Sequence, residues 1–309
     1  MQRLAPQKTI ACVTGATGLV GRRIVELLLS RDFCARVLSR QGFFDDVRAK
    51  CYQGDVTDPK SLVEFVDGAQ LLFHCAAEVN DEAKMWEVNV RGTENVFNVA
   101  RRGNVKYFCH LSSAGVVGAT SRKVVDEEDE CNPQNLYEQS KLAAERIVAA
   151  GIADCRIVVL RPTNIVDETR LGALSVFAES GFFRRMKLFV KGGEGAHIVH
   201  AQDVADAALY FIAEMKPGVQ CYFVSYDHDN RNTFAGIGAC LQNISRGKTI
   251  DGVKPYIHMP LGVPHLLRTL ARGPGNRGDV RYSSAKLLST GFEFRLGFEA
   301  ALRRILVAL

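Results

Sequence analysis

Apolar residues in the first half of the chain occur as short runs separated by longer stretches in which apolar and polar positions alternate with helical spacing. The runs are short, apolar and bounded by turn residues, which predicts buried strands. The predicted strands are Ile10–Thr14, Ala35–Leu38, Lys50–Gln53, Leu71–His74, Tyr107–Leu111 and Ile157–Leu160. The predicted helices between them are Leu19–Leu29, Lys60–Val66, Ala83–Arg101 and Leu136–Ala149. This alternation predicts an α/β fold of the Rossmann type, a doubly wound parallel sheet with helices on both faces.

The pattern becomes less regular beyond about residue 165. We therefore predict a Rossmann domain over residues 1–165 and a smaller C-terminal substrate lobe over residues 166–309. The segment Leu261–Leu270 is apolar but contains Pro264 and Arg268, which favours a packed helix or a pocket wall. A final helix from about Gly297 to Leu309 carries an apolar stripe that would close the lobe.

Composition narrows the possible functions. The 309 residues are 47% hydrophobic and 24% charged, with a net charge of +5 that is spread along the chain. This charge does not indicate nucleic-acid binding. The nine cysteines lack the spacing of metal ligands, so no metal site is predicted. Their scattered positions predict a protein of the reducing cytoplasm. Neither a signal peptide in Met1–Lys8 nor an apolar run of membrane-spanning length is found, so no membrane partner is expected.

A glycine-rich turn follows the first predicted strand and opens the first predicted helix. It reads Thr14-Gly15-Ala16-Thr17-Gly18-Leu19-Val20-Gly21. In this context glycines allow a tight turn and a close approach to a pyrophosphate, while the helix N-terminus supplies N–H groups and a positive dipole. The turn predicts a dinucleotide site.

The end of the second strand bears on the choice of cofactor. Enzymes that use NAD need a carboxylate there for the ribose 2′-hydroxyl. Ser39 and Arg40 stand at this position, and a hydroxyl beside a guanidinium suits a 2′-phosphate. The alternative is that Arg40 is an ordinary surface arginine at a strand end. We predict NADP as the cofactor, with NAD as the alternative.

A tyrosine and a lysine four residues apart, Tyr137 and Lys141, lie in the helix predicted after Pro133. That spacing places both side chains on one face of the helix. The spacing alone is common, and a packed tyrosine beside a solvated lysine would explain it equally well. Its position after the glycine turn and after the serine pair Ser112–Ser113 favours a functional role.

With these motifs the chain resembles the extended short-chain dehydrogenase/reductase family, which includes nucleotide-sugar epimerases, ketoreductases and dehydratases. The resemblance covers nearly the whole chain and is strongest over residues 9–164. It implies a segment of the second lobe, about residues 192–225, that returns to the core domain. It implies homodimers formed through the helices before and after the catalytic turn. The cofactor contacts that the motifs imply are Gly15, Thr17, Gly18, Leu19, Val20, Gly21, Ser39, Arg40, Asp55, Val56, Ala76, Ala77, Asn89, Tyr137, Lys141 and Thr163.

In the resemblance, Ser113 faces the substrate and Tyr137 is the acid/base. Hydride transfer at a carbinol or ketone carbon also requires a proton donor or acceptor at the oxygen. A tyrosine with a pKa near 10 is a poor base at neutral pH, so we expect Lys141 and an oxidised nicotinamide to lower its pKa. Family members that dehydrate sugar nucleotides carry an acid shortly after the serine. Ala114 and Gly115 stand there, which argues against elimination.

On the substrate side, Asn164 and Arg277 resemble residues that bind a nucleotide-sugar diphosphate. Ala196-His197 replaces the Arg-Asp pair that is usual in sugar-nucleotide epimerases, so one diphosphate contact is missing or replaced. The leading hypothesis is an epimerase or ketoreductase acting at C4 of a nucleoside-diphosphate sugar. The alternative is a reductase of a hydrophobic ketone, resembling hydroxysteroid dehydrogenases and dihydroflavonol reductases. A third hypothesis is an NADP-binding regulator without activity, which Ser113, Tyr137 and Lys141 make less favoured.

Overall fold

A seven-stranded sheet forms the centre of the fold in the computed structural model, which describes residues 9–214, 216–272 and 278–308. Five neighbouring strand pairs, β1–β2, β1–β4, β2–β3, β4–β5 and β5–β7, are parallel. The strand order is β10-β7-β5-β4-β1-β2-β3. These strands are β1 Ile10–Thr14, β2 Cys34–Ser39, β3 Lys50–Gln53, β4 Leu71–His74, β5 Tyr107–Leu111, β7 Arg156–Pro162 and β10 Gly218–Val224. The predicted doubly wound Rossmann fold is confirmed.

Two-stranded pairs complete the β structure. They are β6 (Val124–Val125) with β11 (Arg281–Tyr282), and β8 (Asn164–Val166) with β9 (Ile198–His200). Short 3-10 turns span Ala114–Val117, Gly172–Phe177 and Phe211–Ala213.

Helices alternate with the strands of the sheet. The helices are α1 Leu19–Ser30, α2 Pro59–Val66, α3 Glu82–Trp86, α4 Gly92–Arg102, α5 Leu136–Val148, α6 Gly181–Lys191, α7 Ala201–Tyr210, α8 Phe234–Ser245, α9 Gly262–Arg272, α10 Ala285–Ser289 and α11 Gly297–Leu306. One difference from prediction concerns Ala83–Arg101, which is interrupted by a π-helical turn at Glu87–Arg91. Each described helix is too short or too polar to span a lipid bilayer.

The chain divides into two compact units, each built from separate segments. The first unit comprises the residues up to Val116, Pro133–Arg161 and Ala205–Cys221. Its core includes Leu62, Phe65, Phe97, Phe108 and Ile157, all at most 3% exposed. Burying side chains of this size contributes about 1.5–3 kcal/mol each.

The second unit comprises Val117–Asn132, Pro162–Val204 and the chain from Tyr222 onward. Phe223, Tyr226, Ile237 and Leu302 are fully buried there. In α9, Val263, Leu266 and Leu270 are exposed, which does not fit the packed helix predicted from the sequence; the alternative, a pocket wall, stays a prediction.

Candidate active site

The turn between β1 and α1 is closed by backbone contacts that only glycine permits. Gly15 has a φ of +66°, and a Cβ there would lie 2.6 Å from the backbone nitrogen of Ala76. A Cβ at Gly21 would lie 2.2 Å from the carbonyl oxygen of Gly15. Gly18 is the N-cap residue of α1 and makes no side-chain hydrogen bond to the helix. The first turn of α1 contains no acidic residue. The positive end of the helix dipole is thus presented at a tight turn, which suits an anionic group.

A cavity of about 380 Å³ lies beside this turn. The predicted cofactor residues that line it are Gly15, Thr17, Gly18, Ser39, Arg40, Asp55, Val56, Ala76 and Ala77. Leu19, Val20, Gly21 and Asn89 do not line it, since Val20 and Gly21 pack inward and Asn89 is 1% exposed. Residues that the sequence did not indicate also line the cavity, namely Leu38, Gln41, Gly54, Cys75, Glu78 and Val88.

Ser39 and Arg40 stand at one end of this cavity. Ser39 is buried, and its carbonyl accepts hydrogen bonds from the backbone N–H groups of Gly42 and Gly54. Arg40 is exposed, and no carboxylate in the described part of the chain pairs with it. Asp55 uses its Oδ1 atom in a local turn, where it accepts from the backbone N–H and the hydroxyl of Thr57 at 2.9 Å each. The glycine-rich turn and the unpaired guanidinium of Arg40 lie at the same cavity. Together they suit a phosphorylated dinucleotide.

A buried polar network holds the backbone beneath the glycine turn. His74, at the end of β4, contacts the Thr14 hydroxyl through Nδ1 at 2.7 Å and the Thr93 hydroxyl through Nε2 at 2.9 Å. Thr14 Oγ1 also accepts from the backbone N–H of Ala76 at 3.3 Å. Burial lowers the pKa of His74 to about 3, so the ring is neutral at physiological pH. The network ties β1, β4 and α4 to the segment after β4.

Asn89 anchors the same segment from the π-helical turn. Its Oδ1 accepts from the backbone N–H of Glu78 at 2.7 Å. Its Nδ2 donates to the Glu78 carbonyl and to the Ser140 hydroxyl, each at 2.9 Å. The Asn89 side chain is buried and does not face solvent. Asn89 instead positions the cavity-lining residue Glu78 and links it to α5.

Helix α5 brings Tyr137 and Lys141 to the end of β5. Asn135 caps this helix by accepting from the backbone N–H of Glu138 at 2.9 Å. The Ser113 hydroxyl lies near the Tyr137 phenol. Lys141 Nζ donates to the Leu111 carbonyl at 2.6 Å. Ser113, Tyr137 and Lys141 are therefore brought together within the first unit.

Burial sets the electrostatics of this pair in the folded protein. It raises the pKa of Tyr137, and the nearby Ser113 hydroxyl partly counters this rise. Burial lowers the pKa of Lys141 to about 8, so this side chain is still mostly charged at pH 7. The lowering of the Tyr137 pKa that is expected from Lys141 together with an oxidised nicotinamide stays a prediction.

The residues after Ser113 form a tight turn without an acidic side chain. The Gly115 backbone N–H donates to Ser113 Oγ at 3.0 Å, which fixes the serine side chain. Glu138 of α5 approaches this turn, and a Cβ at Gly115 would lie 3.3 Å from Glu138 Cγ. Glu138 Oε2 accepts from the Gln134 backbone N–H at 2.6 Å. The sequence did not indicate this carboxylate.

Of the candidate substrate residues, Asn164 lies in the second unit. Asn164 Nδ2 donates to the Ala196 carbonyl at 2.8 Å, and the Asn164 backbone N–H donates to the His197 carbonyl. His197 has a φ of +50°, and its Nδ1 contacts Asp227 Oδ2 at 2.7 Å. The Thr163 hydroxyl is buried and has no hydrogen-bond partner among the described residues. Arg277 lies outside the described residues.

Comparison with known proteins extends this description. A 3 beta-hydroxysteroid dehydrogenase/Delta 5-->4-isomerase of Mycobacterium tuberculosis (strain CDC 1551 / Oshkosh) is 33% identical over 172 residues, 50% of this chain and 46% of that protein. An N-acetyl-alpha-D-glucosaminyl-diphospho-ditrans,octacis-undecaprenol 4-epimerase of Escherichia coli O157:H7 is 30% identical over 168 residues, 51% of this chain and 49% of that protein. The chain thus spans about half the length of these curated relatives.

The fold has a solved counterpart over nearly its full length. The Bordetella bronchiseptica enzyme WbmH, solved in complex with NAD+, superimposes with a TM-score of 0.71 at 20% identity and covers 98% of both chains. A sequence model of the NAD dependent epimerase/dehydratase family matches residues 11–221, more than half of the chain. The protein therefore belongs to the NAD dependent epimerase/dehydratase family.

Proposed function

We propose that the protein is an NADP(H)-linked oxidoreductase that transfers a hydride at a carbinol or ketone carbon, with Tyr137 as the acid/base. The observation that carries this proposal is the nearness of the Ser113 hydroxyl to the Tyr137 phenol, next to the buried Lys141, whose Nζ donates to the Leu111 carbonyl at 2.6 Å. Two neighbouring hydroxyls at the end of a strand can both reach one substrate oxygen. A catalytically idle regulator would not need this arrangement.

Each of the three residues has a distinct role in the proposal. A nicotinamide cofactor supplies or accepts the hydride when it is bound. Tyr137 donates its phenolic proton to the carbonyl oxygen during reduction and accepts it from the carbinol during oxidation. Ser113, fixed by the Gly115 N–H, donates a hydrogen bond to the same oxygen and orients it. Lys141 holds a positive charge near the phenol, which favours the phenolate during proton transfer.

NADP is the proposed cofactor because Arg40 offers an unpaired guanidinium in the cavity. Arg40→Gln should weaken NADPH binding by about 10- to 100-fold, the usual worth of a charge-assisted hydrogen bond, and leave NADH binding nearly unchanged. Arg48→Gln is a matched control, because Arg48 lies in the same β2–β3 connection but pairs with Asp46. Titration calorimetry with both cofactors measures the difference. Equal losses for NADPH and NADH would contradict the NADP assignment.

Two substrate classes fit the site. We favour a hydrophobic carbinol or ketone, because the hydroxysteroid dehydrogenase relative acts on this class and because the Asn164 amide nitrogen is engaged with the Ala196 carbonyl. Ala196 at the position expected for an arginine also weakens the case for a diphosphate. A nucleoside-diphosphate sugar, with reduction or epimerisation at C4, is the second candidate and is supported by the 4-epimerase relative.

A paired assay separates the two classes. NADPH oxidation is followed at saturating cofactor with a panel of steroid and aromatic ketones, and thermal protection is measured with UDP, GDP and dTDP. We expect turnover of at least one hydrophobic ketone and no protection by the nucleoside diphosphates. Protection by a nucleoside diphosphate without turnover of any hydrophobic ketone would instead support the sugar-nucleotide class. Cofactor that stays bound through purification would favour an epimerase, and exchanging cofactor a reductase.

A further inference from the structure

A groove between α6 and α8 lies within the second unit and belongs to none of the sites described above. It encloses about 750 Å³, within the range of cavities that bind small molecules. Its walls are largely apolar and are formed by Phe177, Leu188, Phe189, Leu241, Tyr256 and Leu306. Helix α6 on one side has no buried residue, so its apolar side chains are available to a ligand.

The floor of the groove is shaped by a glycine in α8. A Cβ at Gly238 would lie 2.7 Å from Tyr256 Cε2 and 3.0 Å from Phe177 Cε1. The Tyr256 hydroxyl donates to the Gly238 carbonyl at 2.9 Å. The missing side chain therefore lets two aromatic rings rest on the helix, where they form a fixed apolar surface.

The charges around the groove have one sign. Arg184 and Arg185 line it, and no aspartate or glutamate does. Burial raises the pKa of Tyr256, and the positive charges of Arg184, from α6, and Arg246, from the end of α8, partly counter this rise. No carboxylate in the described part of the chain pairs with Arg184 or Arg185; the one acid paired with α6, Glu179, binds Lys187. Unpaired guanidinium groups beside an apolar wall match an anion that carries a long apolar chain.

We propose that this groove binds a long-chain monocarboxylate, with the alkyl chain along Leu188, Leu241 and Tyr256 and the carboxylate at Arg184 and Arg185. A planar carboxylate matches a guanidinium in a bidentate arrangement. Each methylene that is buried adds to the affinity by up to about fourfold, so binding strengthens with chain length until the groove is filled.

Titration calorimetry with dodecanoate, octanoate and 1-dodecanol tests the proposal on the full chain without added cofactor. We expect dodecanoate to bind more tightly than octanoate, which buries fewer methylenes. We expect it to bind about tenfold more tightly than 1-dodecanol, which lacks the charge. Equal affinities for dodecanoate and 1-dodecanol would overturn the assigned head group.

Variants locate the ligand. Arg184→Gln with Arg185→Gln should weaken dodecanoate binding at least about tenfold. Arg101→Gln with Arg102→Gln, an exposed pair in the last turn of α4, removes the same charge elsewhere and should leave binding unchanged. Ser245→Trp places a bulky ring in the groove and should abolish binding of dodecanoate, octanoate and 1-dodecanol while the melting temperature stays close to that of the wild type. Equal losses in the two arginine pairs, or binding to anionic phospholipid vesicles without binding to dodecanoate, would overturn the proposal. Because the assay contains no substrate or cofactor, its outcome is independent of the proposed oxidoreductase activity.

Discussion

The buried charge of Lys141 lowers the stability of the folded protein, while the same side chain serves the proposed reaction. Its side chain is buried, with one hydrogen bond to the Leu111 carbonyl, and burial lowers its pKa from 10.5 to about 8. This shift corresponds to about 3 kcal/mol of cost for holding the charged form in the folded protein at neutral pH. Residues kept for activity at the expense of stability are common at functional sites.

Replacing Lys141 by Met should therefore separate activity from stability. Lys141→Met should reduce turnover by about 100-fold or more and raise the free energy of unfolding at pH 7 by about 1–3 kcal/mol. The folded protein binds fewer protons than the unfolded chain between pH 8 and 10.5, so wild-type stability should rise with pH across that window. The variant should lack this rise. Urea unfolding at several pH values measures both effects, with Lys60→Met, an exposed lysine in α2, as the control. A destabilised variant that keeps the pH dependence would contradict the prediction.

Site residues that lie close together in the sequence could be predicted. Contacts between residues that only the sheet brings together could not. The spacing of Tyr137 and Lys141 and their order after Ser113 were sufficient to expect one site. The contact of His74 with Thr14 was not predictable, because 60 residues separate them and only the register of β1 with β4 brings them together. Glu138 was missed for a similar reason, since its approach to Gly115 depends on how α5 packs.

At the scale of elements, the β1–α1 turn leaves no space for a Cβ at Gly15 or Gly21. Hydrophobic periodicity predicted its strand and helix nearly to the residue, and the glycines predicted the turn. The π-helical turn at Glu87–Arg91 was not predicted, because an apolar pattern in this segment is compatible with either helix type. It accompanies the buried position of Asn89, and such turns are frequent at functional sites.

Gly21→Ala tests how tightly the backbone of the β1–α1 turn is packed. The added Cβ would meet the Gly15 carbonyl oxygen at 2.2 Å, so the turn must open. We expect a loss of about 1–3 kcal/mol in the free energy of unfolding, as for other overpacked sites, and weaker cofactor binding. Gly262→Ala, at the start of α9 with open space around the glycine, should be neutral or slightly stabilising. Chemical denaturation and cofactor titration measure the two effects. Equal behaviour of the two variants would show that the turn is not constrained.

At the scale of the whole molecule, the parallel sheet followed from the alternation of strands and helices, but its strand order was not predicted. The family resemblance implied that a later segment returns to the core domain. The place of Val117–Asn132 in the second unit was not predicted, because contacts between distant segments leave no local pattern. The domain boundaries, the homodimer and the cytoplasmic location stay predictions.

The sheet also makes the stability of the protein depend on pH. His74 and His110 are register partners in β4 and β5, both are fully buried, and burial lowers the pKa of each below the usual 6.5. The unfolded chain therefore binds more protons than the folded protein below pH 6.5. Stability should fall as the pH decreases from about 6.5 towards 3, by up to about 1.4 kcal/mol per pH unit for each histidine.

His110→Leu and His74→Leu should have opposite effects at pH 7. Neither ring nitrogen of His110 has a hydrogen-bond partner in the described structure, so leucine should leave stability unchanged or raise it. His74 contacts two threonine hydroxyls, so its loss should cost about 1–3 kcal/mol. Both variants should lose less stability per pH unit in acid than the wild type. Unfolding curves between pH 4 and 7 measure this, and an unchanged acid dependence in both would contradict the assignment of the two histidines.

Tyr137 is the residue proposed to transfer the proton that accompanies hydride transfer. The most direct test compares the wild type with Tyr137→Phe, which removes only the phenolic oxygen. Turnover of an accepted ketone with NADPH is measured together with NADPH affinity by calorimetry. We predict that turnover falls by about 100- to 10,000-fold, the range of general acid–base catalysis, while the dissociation constant for NADPH changes less than about threefold. Turnover within about tenfold of the wild type, with NADPH binding intact, would contradict the account.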